Sequence, residues 1–429
     1  MSAQAAPVPW QPCQIAEWPA VQVKYMYQTV LGKMLQPQSA SDHDIEAPYI
    51  KSIHVQWRGV SFDTLPTMWA SPTDIVQLEL RVGDLMVCEG GEVGRGALVL
   101  CDPPPLCIFQ NALHRVRARE SNDVRYLNYC LTQAAEAGWF EVLCNRATIA
   151  HFTVEKFREL RIHLPSSATQ RLIANYLDRE IDRIDGLIAE KERMLVLLEE
   201  KRISLISRVV TRGLNQRAPF KPSGQEWLGE IPEHWRMGRA KNFFTVRDER
   251  SDDGSEELLT VSHITGVTSR SEKDVSMFQA DDKAGYKRCM PGDLAINTLW
   301  AWMGAMGISP LVGIVSPDYH VYTSKGELLP EYINLVCRSR PFVAEVARWS
   351  KGVWSSRLRL YPENFFEMRL PVPPHEEQLE IVRAVESDQR KANTLRDGLQ
   401  LSIMLAKERR AALITAAVTG QIHPEEMAE

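Results

Sequence analysis

The sequence predicts an α+β protein: a tandem repeat of two α/β modules, each followed by a long helix, with the two helices packed as an antiparallel coiled coil about a pseudo-twofold axis. Three observations predict it. From Ser167 to Thr211, apolar residues recur at alternating spacings of four and three (Leu177, Ile181, Ile184, Ile188, Leu195, Leu198, Leu205, Val209), which is the seam of a helix that packs on another helix. The stretch 376–418 then repeats the first at a single offset of 208 residues. Gln170-Arg-Leu-Ile173 returns as Gln378-Leu-Glu-Ile381, Lys201-Arg-Ile-Ser-Leu-Ile206 as Arg409-Arg-Ala-Ala-Leu-Ile414, and Val210-Thr211 as Val418-Thr419. Finally, the segments ahead of the two helices also match each other in order.

The first helix carries charges between its seam positions (Arg179, Glu180, Arg183, Glu190, Glu192, Arg193, Glu199, Lys201), so its other faces are wet. At 1.5 Å per residue, roughly 44 residues make a rod about 65 Å long. Such a rod cannot bury its seam alone, and the repeat supplies its partner through Val385, Leu399, Ile403 and Leu413. That second seam is poorer, with alanines where the first has leucines.

The repeat runs through the modules as well. Trp18 opens one and Trp235 the other, with Lys24 matching Lys241 and Tyr27 matching Phe244. The segments from Pro48 (PYIKSIHVQWRGV) and Leu258 (LLTVSHITGVTSR) read as strands around a polar loop. Gly83-Asp-Leu-Met-Val87 matches Gly292-Asp-Leu-Ala-Ile296, a turn feeding a strand, and a glycine-bearing loop follows each, 89–96 and 300–307. His114 and His320 stand in register, as do the helix starts Tyr126-Leu-Asn-Tyr and Tyr332-Ile-Asn-Leu. Boundaries follow: an N-terminal tail 1–17, a module 18–164, a helical region 165–214, a Pro- and Gly-bearing linker 215–234, a second module 235–370, and a second helical region with an acidic tail 371–429.

Composition narrows the class. A chain of 429 residues with 44% apolar content has ample material for sizeable cores. It contains no run of 18 apolar residues, and its start has neither a basic nor an apolar segment, so a cytoplasmic protein without membrane contact is expected. The eight cysteines are scattered without a C-x-x-C pair, which signals neither zinc nor a disulfide framework. Net charge is −5, mildly against nucleic acid, but the charge is uneven: Arg338, Arg340, Arg348, Lys351, Arg357 and Arg359 crowd against the single acid Glu345. Two modules held apart by a ruler suit a bipartite target on duplex DNA, where half-sites return to the same face about every 34 Å.

At this point the chain resembles the specificity subunits of type I restriction–modification systems. The residues that carry the resemblance are Trp227-Leu-Gly-Glu-Ile-Pro-Glu-His-Trp235, the Leu-Pro…Gln…Ile helix starts at 164–173 and 370–381, and the helix ends at 201–213 and 409–420. It covers nearly everything beyond the N-terminal tail. The resemblance implies two target-recognition domains, each reading half of a bipartite site on double-stranded DNA, and a helical pair that sets the spacer. It further implies that two adenine-N6 methyltransferase (modification) subunits dock on this scaffold and that restriction–translocation subunits join them. S-adenosylmethionine, ATP and Mg2+ would then sit on those partners, with no cofactor or metal on this chain and no catalysis by it. One departure is the second helix start, two residues longer than the first.

Candidate DNA contacts follow from chemistry: Lys and Arg for phosphates, and Arg, Lys, Asn, Gln, Ser and Thr for base edges. The strongest patch is Lys351, Trp354, Ser355, Ser356, Arg357 and Arg359; its counterpart is Asn145, Arg146 and Thr148. Polar loops add Lys51, Ser52, Trp57 and Arg58 in one module and His263, Thr268 and Arg270 in the other. The glycine-bearing loops offer Glu89 and Arg95, and Asn297 and Thr298, with Glu92, Trp300 and Trp302 beside them. Each has an ordinary counter-reading as solvated loop surface or, for the tryptophans, as core. Two other functions compete. A self-contained DNA methyltransferase would use Asp102-Pro-Pro-Pro105, but the stacking aromatic that should follow is missing, as is a cofactor-binding glycine loop between strand and helix. A protein-only coiled-coil scaffold would use the helices and leave the polar loops idle.

Overall fold

The computed structural model describes residues 8–143, 152–272, 282–352 and 358–428. The chain forms two compact units, Met1–Lys191 with Leu401–Glu429, and Glu192–Gln400, and each boundary falls inside a long helix.

In the first unit a four-stranded antiparallel sheet is built from β1 (Tyr27–Leu31), β2 (Leu85–Cys88), β3 (Gly96–Leu98) and β4 (Leu113–Ala118), in the order β1-β4-β2-β3. Helix Val124–Glu136 covers one face, burying Tyr126, Leu127, Cys130, Leu131 and Ala134, the amphipathic pattern of a helix lying on a sheet. On the other side a second core gathers Tyr49, Ile50, Met68, Phe109 and Leu113 around strands Ile45–Ile50, Thr67–Ala70 and Ile108–Phe109. Strand Ala20–Gln22 pairs with Arg161–His163, bringing the module's start and finish together where α1 (Ser167–Arg212) begins.

In the second unit β5 (Phe244–Arg247), β6 (Leu294–Asn297), β7 (Met306–Ile308) and β8 (Tyr319–Ser324) pair antiparallel in the order β5-β8-β6-β7, the same topology. The registers agree as well: His114 lies opposite Val87, and His320 opposite Ile296. Arg236–Arg239 pairs with Arg369–Val372 ahead of α2 (His375–Val418), again closing the module at its helix.

Within each unit the helices run antiparallel. In the first, Ile173, Leu177 and Ile181 share a core with Ile414, Ala417 and Val418, and Asp185 lies 3.5 Å from Arg410. In the second, Ile206, Val209 and Val210 share a core with Ile381, Val382 and Val385, while Lys201 reaches Asp388 at 3.4 Å and Arg202 Nε donates to Gln389 Oε1 at 2.6 Å. Of the expected seam, Leu177, Ile181, Ile184, Ile188, Val385, Leu399 and Ile403 are buried, and Leu195, Leu198, Leu205 and Leu413 half-buried. Leu205 and Leu413 yield the deepest positions to their neighbours Ile206 and Ile414. That shift by one residue is the drift expected of a 3.6-residue helix at the end of a 3.5-residue seam.

The repeated glutamines do the same work twice. Gln170, fully buried, accepts from Asp123 N at 3.0 Å and donates to Asn122 Oδ1 and the Pro165 carbonyl. Gln378 accepts from Leu329 N at 2.8 Å and donates to the Pro373 and Glu327 carbonyls. Each locks the first turn of a long helix to the start of its module's surface helix. Both long helices finish with a threonine bonded back to a carbonyl four residues earlier, Thr211 to Ser207 and Thr419 to Thr415. A left-handed glycine follows at Gly213 and Gly420, each at φ +69°, the usual stop for a helix.

Two expected boundaries are corrected. Residues 8–17 are not a loose tail: Val8, Trp10 and Gln11 are buried, Gln11 donates to the Val418 carbonyl at 3.0 Å, and Gln14 N donates to the Thr419 carbonyl at 2.9 Å. An Ala/Pro/Gln-rich composition hid the anchors Trp10 and Gln11. Nor is 215–234 a bare linker. It forms the hairpin Phe220–Pro222/Glu230–Pro232 and buries Leu228, Ile231 and, just beyond, Trp235, whose indole N–H donates to Glu377 at 2.9 Å. Here proline and glycine mark tight turns inside a folded segment.

Candidate nucleic-acid interface

In the first unit the loop after β2 ties three segments together. Trp57 Nε1 donates to Glu92 Oε1 at 2.5 Å, Arg95 pairs with Glu92 at 2.6 Å, and Arg95 Nη2 donates to the Ser52 carbonyl at 2.9 Å. Arg95 keeps only 12% of its side-chain exposure, so it acts first as a brace between loops. Lys51, half-buried, donates its backbone N–H to His54 Nδ1 at 3.1 Å, which stiffens the turn carrying Ser52. The Glu89 carbonyl accepts from Phe152 N at 2.8 Å, and the Phe152 carbonyl meets His114 Nε2 at 2.9 Å. Phe152 directly follows the segment that holds Asn145, Arg146 and Thr148, which lie outside the described residues. Arg58, 65% exposed, stands 3.6 Å from Asp185 on α1.

The second unit repeats this wiring with different atoms. The Thr298 carbonyl accepts from Leu360 N at 3.3 Å, as Glu89 does from Phe152. Leu360 follows a neck in which Lys351 and Arg359 exchange both backbone hydrogen bonds at 2.9 Å, with both residues exposed. The residues this neck encloses, including Trp354, Ser355, Ser356 and Arg357, lie outside the described residues, which continue at Leu358. Asn297 and Thr298 do not face outward as expected. Both are buried; Asn297 Nδ2 donates to Tyr319 OH at 3.0 Å and to the Val261 carbonyl at 3.4 Å, and Thr298 Oγ1 donates to the Asp318 carbonyl. A polar pair at the end of a central strand meets its hydrogen-bond demand from the surrounding loops and joins them. His263 is exposed at the tip of the hairpin Leu259–Ser262/Gly266–Ser269, while Thr268 and Arg270 are half-buried along it. The Arg338 guanidinium holds that tip by donating to the Ile264 carbonyl.

At the other end of β2 and of β6, just before each strand's first residue, sits a buried acid that the repeat pointed to only as a turn. Asp84 takes Arg117 at 2.5 and 2.8 Å and accepts from Arg81 N; Asp293 takes Arg247 at 2.7 and 3.3 Å and accepts from Met290 N. The carboxylate beside each guanidinium raises the pKa of Arg117 and of Arg247. The Gly-Asp dipeptide was the available signal; its arginine partners lie on unrelated strands and carry no repeat. Among the described residues, no His, Cys, Asp or Glu cluster could hold a metal, and no helix is long and apolar enough to cross a membrane.

Comparison with known proteins finds one consistent likeness. A family described as the type I restriction modification DNA specificity domain matches residues 90–193. The specificity subunit of the type I restriction enzyme EcoBI from Escherichia coli is 23% identical over 375 residues, covering 81% of this chain and 75% of that protein. The chain is thus similar to type I restriction–modification specificity subunits, and residues 90–193 carry the match to their DNA specificity domain. Two solved structures share this fold. One comes from a study of complex assembly and conformational transition of the type I R-M system, with a TM-score of 0.67 at 14% identity over 95% of this chain and 99% of that one. The other, the HsdS subunit from Thermoanaerobacter tengcongensis, gives 0.54 at 15% identity, over 95% and 98%.

Proposed function

We propose that this chain is a type I restriction–modification specificity subunit, the non-catalytic DNA-reading and assembly part of its complex, and that each module reads one half of a bipartite site on double-stranded DNA. The antiparallel helices set the spacer and dock two adenine-N6 methyltransferase subunits. Restriction–translocation subunits complete the assembly, and S-adenosylmethionine, ATP and Mg2+ bind to those partners. The observation that carries this reading is the identical seating of two modules: same sheet order, same loop-to-loop ties, and a buried glutamine locking each to its own stretch of helix pair. A duplicated reader on a stiff support suits a target written as two short half-sites, where recognition is additive and the gap is set mechanically.

The test is co-expression with the methyltransferase subunit followed by mapping of N6-methyladenine on the host DNA. A two-part motif with a fixed gap is expected. Inserting one heptad into each helical region should lengthen the gap and leave both half-sites unchanged; altered half-sites with the original gap would defeat the ruler.

A further inference from the structure

The turn after β6 contains a surface that the wiring above does not use. Trp300 is 47% exposed, and its ring stacks on Trp302 with centroids 6.5 Å apart and planes 15° from parallel. The turn is held rigid from below. Trp300 N donates to the Asn297 carbonyl at 3.0 Å, the Trp300 carbonyl accepts from Met303 N at 3.0 Å and Ala305 N at 3.1 Å, and Trp302 Nε1 donates to the Leu299 carbonyl at 3.0 Å. Ala301 is fully buried, and Gly304 turns the chain at φ +93° against Val343, where a Cβ would come within 3.1 Å. A fold that fixes an indole this firmly and leaves its outer face in water has prepared a flat apolar surface.

We propose that Trp300, backed by Trp302, is a stacking platform for one unstacked base of the DNA segment read by the second module. This rests on the DNA-reading function proposed above and names a contact within it. The choice of occupant follows from size and charge. Apart from Trp300, only the edge of Met303, 37% exposed, adds large apolar surface on the turn. That is the footprint of a single base, far below the roughly 800 Å² per partner of a stable protein interface. The Thr298–Leu360 bond places the exposed Arg359 and Lys351 on the adjoining strand end, where a phosphate next to a stacked base would meet them. The nearest acid of the packed helix Arg340–Trp349, Glu345, is already engaged by Trp349 Nε1 at 2.8 Å and Arg348 at 3.4 Å. In the first module the loop after β2 carries no aromatic of its own, and the half-buried Trp57 that meets it is tied by its indole N–H to Glu92, so the stacked pair belongs to the second module.

The test uses the complex reconstituted with its methyltransferase subunit and duplexes carrying 2-aminopurine at successive positions of the second half-site. Wild-type protein should change the fluorescence at one position, Trp300→Ala should leave that base unstacked and brighter than in the wild-type complex, and it should weaken binding about tenfold. The slope of log affinity against log salt should stay unchanged, because no phosphate contact is lost. Trp300→Phe should restore most of both readouts. The proposal is overturned if no position is brighter with Trp300→Ala than with wild-type protein, if Trp300→Ala binds within twofold of wild type, or if Trp300→Phe is as weak as Trp300→Ala. Absence of any sequence-dependent binding by the wild-type complex overturns the functional reading, and this proposal with it.

Discussion

The loop after the second sheet strand closes by charge in one module and by amide and hydroxyl in the other. In the first, Glu92 gathers Trp57 and Arg95 at the surface; in the second, Asn297 and Thr298 do the gathering from below and release an aromatic pair to the top. The main-chain bond that ties this loop to the far segment is common to both, from Glu89 to Phe152 and from Thr298 to Leu360. The buried acids teach the same lesson. Asp84 takes its arginine from β4 and Asp293 takes its own from β5, so the carboxylate kept its place while its partner moved to a different strand. Backbone paths and buried polar anchors repeat; the side chains facing outward are free to diverge. That is the division of labour the proposed reading of two different half-sites requires.

The most severe test of this equivalence removes the anchors. Asp293→Ala leaves Arg247, with 17% of its side chain exposed, only the exposed Glu249 at 2.8 Å, and Asp84→Ala leaves the 29% exposed Arg117 only the Glu79 carbonyl at 3.1 Å. Taking the buried carboxylate from a mostly buried guanidinium costs about 3–5 kcal/mol, with both variants at the lower end because each arginine keeps one partner. Denaturant melts should show both variants losing stability by similar amounts. Exchanging both partners for apolar residues, as in Asp293→Leu with Arg247→Met, should recover most of the loss. Next in size is the hub. Asn297→Leu with Thr298→Val removes the ties to Val261, Tyr319 and Asp318, and leaves acceptors there unpaired, at about 1–3 kcal/mol. Methylation mapping should show the second half-site blurred and the first intact; equal damage to both would mean that the modules do not read separately.

Much of this was legible in the chain because duplication writes the scaffold twice. A single offset exposed both helices, and Gln170 and Gln378 stood out as the same residue at the same step, which the structure explains as a clasp. Seam leucines were visible because burial imposes a period, although Ile206 and Ile414 took the deepest places from Leu205 and Leu413. What stayed hidden were pairings between positions with no periodicity. Nothing in the sequence links Arg58 to Asp185, Trp57 to Glu92 or Arg117 to Asp84. Asn297 and Thr298 looked like base readers because their chemistry suits either task, and only their depth separates the two. The stretch 1–17 reads as a tail because Trp10 and Gln11 lie among prolines, although a tryptophan eight residues before Trp18 matches the spacing of Trp227 and Trp235.

A smaller difference should appear on acidification. His114 is fully buried, stacks on Phe157, and spends its Nε2–H on the Phe152 carbonyl, while Nδ1 has no partner. Burial lowers its pKa against the opposing pull of that carbonyl and of Glu155, with Arg158 lowering it further; His320, only half-buried, is lowered by burial and by Lys287. A folded-state pKa below the unfolded value of about 6.5 means that the stabilisation is complete above that pH and is lost as pH falls below it. Unfolding melts from pH 7.5 to 5.5 should lose more stability through His114 than through His320. Substituting His114→Gln should flatten the steeper part.

The finest test concerns Arg58, whose exposed pairing with Asp185 at 3.6 Å contributes less than about 1 kcal/mol to stability. Arg58→Gln should not move a melt appreciably, so its change in DNA binding reports on recognition alone, whereas Asp185→Asn also takes the carboxylate from Arg410 at 3.5 Å and its binding is compared at a temperature well below its own melt. If the guanidinium leaves Asp185 for a phosphate, the carboxylate competes with DNA. Arg58→Gln should then weaken binding and flatten the salt dependence by about one unit of slope, whereas Asp185→Asn should tighten it. Opposite signs from two partners of one ion pair are what competition produces. Equal signs would make the pair a fixed strut between the loop and α1, and would remove Arg58 from the reading face of the first module.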